Sequence, residues 1–122
     1  MAEQIPPQVQ NQLMRFQELQ EQLNNIVLRK RQFELESKEV DRALGESKSL
    51  PDDAVVYKSV GVLLFKSEKA KIVAELTDKK EETDLRIKTI EKQELRLKAQ
   101  LEELRKTIMD QVNVAKGPIQ GS

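Results

Sequence analysis

The chain has 122 residues, 34% of them charged, and its 21 basic side chains balance 21 acidic ones. It contains no histidine and no cysteine, and its aromatics are Phe16, Phe33, Tyr57 and Phe65. Disulfides, imidazole- or thiol-based catalysis and the common zinc ligands are therefore excluded, and the even mixture of charge argues against nucleic acid or an anionic membrane as partner.

The length suits one domain, and a composition dominated by Glu, Lys, Leu and Gln suits long or coiled helices better than a packed globule. No apolar run approaches a membrane span, and the N-terminal residues lack a basic-plus-apolar leader pattern, so a cytoplasmic protein is expected.

The first predicted helix covers residues 6–49. Pro6-Pro7 marks its start, because proline is tolerated where the backbone N–H has no partner. From Val9 an apolar seam advances in alternating steps of three and four: Val9, Gln12, Phe16, Leu19, Leu23, Ile26, Lys30, Phe33, Ser37, Val40, Leu44. Eight of these eleven are apolar, which is a heptad pattern. Lys30 and Ser37 interrupt it, either fixing register or loosening the coil. The triplet Arg29-Lys30-Arg31 spreads round the helix and reads as solvated surface.

Residues 50–68 break the helical pattern with a concentrated β-branched and aromatic run: Val55, Val56, Tyr57, Val60, Val62, Leu63, Leu64 and Phe65, with Gly61 between the halves. Pro51 stops the preceding helix. The run reads as a single β-hairpin. Val60 resists positive φ, so the expected loop is a type I turn near Ser59-Val60-Gly61, with Gly61 left-handed. Val55, Tyr57, Val62 and Leu64 are expected on one face and Val56, Val60, Leu63 and Phe65 on the other. Both faces are apolar, and a lone two-stranded hairpin is marginal in water. It either folds back on its own helices or assembles with hairpins of other subunits into one sheet or barrel.

The second predicted helix covers 69–116, with Ser67 as N-cap and Glu68 in the first turn. Its seam is Val73, Leu76, Lys80, Thr83, Ile87, Ile90, Glu94, Leu97, Leu101, Leu104, Ile108, Gln111. Glu75/Lys79, Glu82/Arg86, Asp84/Lys88 and Glu102/Lys106 have the spacing of favourable surface pairs. Gly117-Pro118 ends the helix, and residues 117–122 are expected to be a disordered tail.

Arms of similar length joined by a compact reversal predict an antiparallel two-helix coiled coil, with arms of about 55–65 Å at roughly 1.5 Å per residue. Leu44 would pair with Val73 and Val9 with Ile108, bringing both termini to one tip. That tip is rich in apolar residues: Ile5, Val9, Leu13, Met14 and Phe16 from the first arm, and Ile108, Met109, Val112 and Val114 from the second. One two-helix seam cannot cover all of them. Leu13, Met14 and Met109 are expected outside it, where flexible methionines suit varied partners. The other reading is ordinary closure of the coil end, with single exposed apolar residues.

Catalysis has little to work with. The carboxylates lie on helix surfaces, adjacent pairs such as Glu81-Glu82 diverge by about 100° rather than facing each other, and no glycine-rich phosphate loop occurs. No enzyme activity, metal or cofactor is expected.

The order helix, Pro51-Asp52-Asp53-Ala54, Val56-Tyr57-Lys58, a single hairpin centred on Gly61 with an apolar strand to Phe65, then helix, resembles the β-type subunits of prefoldin. The opening Ile5-Pro6-Pro7-Gln8-Val9-Gln10 and the run Lys88 to Glu94 are also similar to that family. The resemblance implies a hexamer of two α-type and four β-type subunits, whose hairpins build a double β-barrel platform bearing the coiled coils. It also implies an ATP-independent chaperone that holds unfolded polypeptide at the tips and passes it to a group II chaperonin in the cytoplasm, in a form closest to the archaeal type. The competing readings are a structural coiled-coil spacer that binds no client, and a coiled-coil arm attached to an enzyme.

Overall fold

A computed structural model describes residues 5–115. The elements run α1 (Pro7–Lys48), β1 (Val55–Val60), β2 (Leu63–Glu68) and α2 (Lys69–Ala115). The fold is thus mostly helical, two long helices joined by a two-stranded antiparallel hairpin. The tail expected over 117–122, and the helix stop at Gly117-Pro118, lie outside the described residues.

Local chemistry sets the boundaries. Pro7 opens α1, Gln10 N–H donates to Pro6 O, and Gln10 Nε2 donates to Ile5 O. At the other end Ser49 N–H donates to the Gly45 and Glu46 carbonyls and Leu50 N–H to Ser47 O, closing the last turn. Pro51 cannot extend the helix. Residues 51–54 instead form a turn closed by Ala54 N–H on Pro51 O.

The helices contribute to two packed units: Met1–Leu28 with Ile90–Ser122, and Arg29–Thr89. In the first, Leu19 of α1 packs with Leu97 and Leu101 of α2, flanked by Phe16, Leu23, Ile26 and Leu104. Val9, Ile90 and Ile108 are buried there as well. In the second, Val40 and Leu44 are buried, and so is Thr83, at 3% exposure. Every position of both seams is buried or half-buried. The steps of three and four pick out the faces on which the helix segments meet.

Two local expectations are corrected. The hairpin ladder closes with Val60 opposite Leu63, so the loop is Gly61-Val62 rather than a turn near Ser59-Val60-Gly61. Gly61, the first loop residue, has φ +58°, and no non-glycine residue has positive φ among the described residues. Positive φ at the first loop position alone is the type II′ pattern, one of the two turns whose twist matches a hairpin. Val60 does resist positive φ, but it sits in the ladder, where none is required. Secondly, Ser67 does not cap α2. Ser67 and Glu68 pair with Val56 and Val55 at the end of β2, and α2 opens on Lys69 with no acid in its first turn.

Candidate interaction surfaces

The hairpin displays its apolar residues instead of packing them. The register puts Val55, Tyr57 and Leu64 on one face and Val56, Val60, Leu63 and Phe65 on the other, and moves Val62 into the loop. Only Val56 is half-buried; Leu64 is 71% exposed and Val62 fully so. Each strand pairs on one side only, which leaves two free edges able to accept further strands.

Polar contacts organise the rest of that unit. Lys58 of β1 reaches Glu75 of α2 at 3.0 Å, and Lys69 Nζ donates to Leu50 O at 2.7 Å. Across the helices, Lys80 meets Asp41 at 2.7 Å and Lys79 meets Glu36 at 3.3 Å, while Ser37 Oγ donates to Asp84 Oδ1 at 3.0 Å. The hydrogen bond to Asp41 holds the Lys80 ammonium above its ordinary pKa, with Asp84 adding to the effect. Arg86 stacks over the Phe33 ring, 5.6 Å from its centroid. Of the four predicted surface pairs only Glu82–Arg86 forms among the described ion pairs. Glu75 and Lys79 turn to Lys58 and Glu36 of other elements, Asp84 accepts from Ser37 and meets Lys80, and Glu102 binds Arg105.

In the other unit, the start of α1 and the end of α2 line one open groove of about 320 Å³, formed by Pro6, Gln8, Val9, Asp110, Gln111 and Val114. Ile5, Leu13, Met14, Met109 and Val114 are exposed in the same unit, Met14 at 61%. Val112 is half-buried. The other tip candidates face inward: Val9 and Ile108 are buried, and Phe16 packs on the Leu19 cluster. These three close the seam, so in this arrangement they do not present themselves to a partner. Gln12 Oε1 and Gln111 Oε1 are buried there without a protein hydrogen-bond partner, which weakens closure.

Sequence reasoning missed several exposed leucines outside the hairpin. Leu28, Leu35, Leu85 and Leu95 are all more than half exposed. Leu28 and Leu35 lie two residues beyond the seam positions Ile26 and Phe33, on the side turned away from the partner helix, and heptad counting could have singled them out. The Lys69 contact was missed too, since nothing in a sequence marks a lysine that reaches a carbonyl 19 residues away.

A family model described as prefoldin subunit matches residues 10–114. The chain belongs to the prefoldin family, among its β-type subunits. The prefoldin subunit beta of Methanothrix thermoacetophila is 45% identical over 104 residues, covering 85% of this chain and 87% of that protein. The prefoldin subunit beta of Pyrobaculum islandicum is 41% identical over 117 residues, 96% of this chain and 94% of the other. The crystal structure of the prefoldin beta subunit from Thermococcus strain KS-1 superposes with a TM-score of 0.83 at 45% identity, covering 89% of this chain and 96% of that one. The Thermococcus subunit therefore shares the fold of this chain over nearly its full length.

Proposed function

We propose that this chain is one subunit of an ATP-independent holding chaperone, which binds unfolded polypeptide at the start of α1 and the end of α2 and passes it to a group II chaperonin. In this reading the hairpin joins an α-type partner and further copies of the chain, two α-type and four β-type subunits in all, in the cytoplasm. The observation that carries it is the hairpin: seven of its large apolar side chains are exposed on one chain of a family of complex-forming subunits. An isolated chain gains nothing by displaying them.

The tip is the second surface. Ile5, Leu13, Met14, Met109 and Val114 offer dispersed apolar contact without a shaped pocket, which suits a client with no fixed sequence. Each side chain covered by client contributes at most about 1–2 kcal/mol. Useful affinity then comes from several subunits engaging one polypeptide at high effective concentration. The spacer reading leaves these tip residues without a role.

The test mixes the chain with an α-type subunit, follows mass by native mass spectrometry, and assays suppression of aggregation of a denatured protein without nucleotide. A hexamer that suppresses aggregation without ATP is expected. A complex that leaves aggregation unchanged would return the spacer reading.

A further inference from the structure

One side chain closes the base of the hairpin. Lys69, the first residue of α2, has a side chain only 19% exposed. Its Nζ donates to Leu50 O at 2.7 Å and lies 3.3 Å from Asp52 Oδ1. Leu50 immediately precedes the turn that delivers the chain to β1, and Lys69 immediately follows β2. The bond to the carbonyl therefore ties together the point where the chain leaves for the hairpin and the point where it returns. The Asp52 side chain is fully exposed, so its contribution is screened, and the carbonyl bond is the important one.

The location works against α2. A cation in the first turn faces the positive end of the helix dipole, and no acid there offsets it. The same ammonium sits at the carbonyl end of α1, where a cation is favoured. Lys69 is thus placed for its contact with the other helix end rather than for its own helix. Lys58 and Glu75 add a tie from β1 to α2, but both are exposed.

We propose that Lys69 is a positioning residue for assembly: it fixes the direction in which the hairpin leaves the helices, so that the free edges of β1 and β2 meet partner strands in register. This rests on the assembly reading above. A two-stranded hairpin has little stability with which to set its own direction, and strand addition tolerates little misalignment because every ladder bond depends on register.

The experiment compares Lys69→Met, which keeps an unbranched stem without the charge, with Lys69→Arg, which can still reach the carbonyl. Lys71→Met, an exposed site at the same helix end, controls for the lost charge. Each is melted alone and titrated with the α-type subunit by native mass spectrometry, and amide exchange is read at Val55–Tyr57 in the isolated chain. Lys69→Met should melt as the wild type does, exchange faster at the hairpin base and assemble roughly tenfold more weakly, the loss expected for a charged hydrogen bond. Lys69→Arg should restore most of the assembly, and Lys71→Met should leave it unchanged. Lys69→Met assembling like wild type, or losing assembly only in proportion to a lowered melting temperature with no rescue by arginine, overturns the role. A wild-type chain that forms no complex overturns the assembly reading as well.

Discussion

The unit built from the start of α1 and the end of α2 and the unit around the hairpin use one pair of helices in different ways. The first is held by Leu19, Leu97 and Leu101 with four flanking apolar residues, and Arg15–Glu18, Lys98–Glu94 and Arg105–Glu102 are ion pairs within one helix. The second buries Thr83 in its seam and links separate elements through Lys79–Glu36, Lys80–Asp41, Ser37–Asp84, Lys58–Glu75 and Lys69–Leu50. Apolar burial is non-directional and tolerates sliding, whereas paired polar groups favour one register and one orientation. On the proposed reading, the leucine-rich unit supplies cohesion beside the apolar residues offered to client, and the polar unit supplies the alignment that an assembling hairpin requires.

The comparison breaks most completely at the hairpin. Leu64→Lys places a charge on the face shared with Val55 and Tyr57. If partner strands cover that face, burying an unpaired ammonium costs several kcal/mol, and no hexamer should form with the α-type subunit while the helical circular dichroism stays intact. Normal hexamer formation would show that this face remains open in the complex.

Cohesion and alignment separate next. Leu97→Ala removes a central side chain of the leucine cluster and should destabilise the chain by about 2–3 kcal/mol, the low end for a core truncation because a two-helix seam collapses easily. Asp41→Asn removes the nearer of two carboxylates from Lys80 at an exposed site and should cost clearly less in thermal unfolding. A larger loss from Asp41→Asn would reverse the assignment of the two units.

At the tip, Met14→Ser combined with Met109→Ser removes two exposed apolar side chains. Aggregation suppression by the assembled complex should fall several-fold, in line with about 1–2 kcal/mol per buried side chain at most, with assembly unchanged on size-exclusion chromatography.

The smallest effect expected is that of pH. The raised Lys80 pKa contributes stability that is fully present below the ordinary value of 10.5 and lost as pH rises through the folded value. The Arg105 hydrogen bond lowers the Glu102 pKa, a contribution present above the ordinary 4.5 and lost as pH falls through the folded value. With no histidine in the chain, the melting temperature should stay flat between about pH 6 and 9. A step near neutrality would point to a titrating group outside these pairs.

The helices were legible because heptad spacing is a repeated signal, and every seam position from Val9 to Leu44 and from Val73 to Gln111 is at least half-buried. The hairpin was legible from its valines and Gly61, and the expected faces hold for every residue except Val62. Its turn was not, because the type depends on which residue pair closes the ladder, and one step of register moved Val60 out of the loop and Val62 into it. The partners of Glu75 and Lys79 were unreadable for a related reason: i,i+4 spacing offers each a neighbour on its own helix, but folding brings Lys58 and Glu36 within reach. At the tip, composition marked the apolar residues without sorting seam from surface, and burial divides Val9, Phe16 and Ile108 from Leu13, Met14 and Met109.

The central claim is that assembly and client holding occupy separate regions of the chain. It is tested most directly by removing residues 1–10 and 112–122 and changing Leu13, Met14 and Met109 to Ser, assembling the altered chain with its α-type partner, and measuring aggregation suppression at matched hexamer concentration. The account predicts an intact hexamer whose holding activity is largely lost. An intact hexamer that holds client as well as the full-length complex would contradict it and place the binding surface elsewhere.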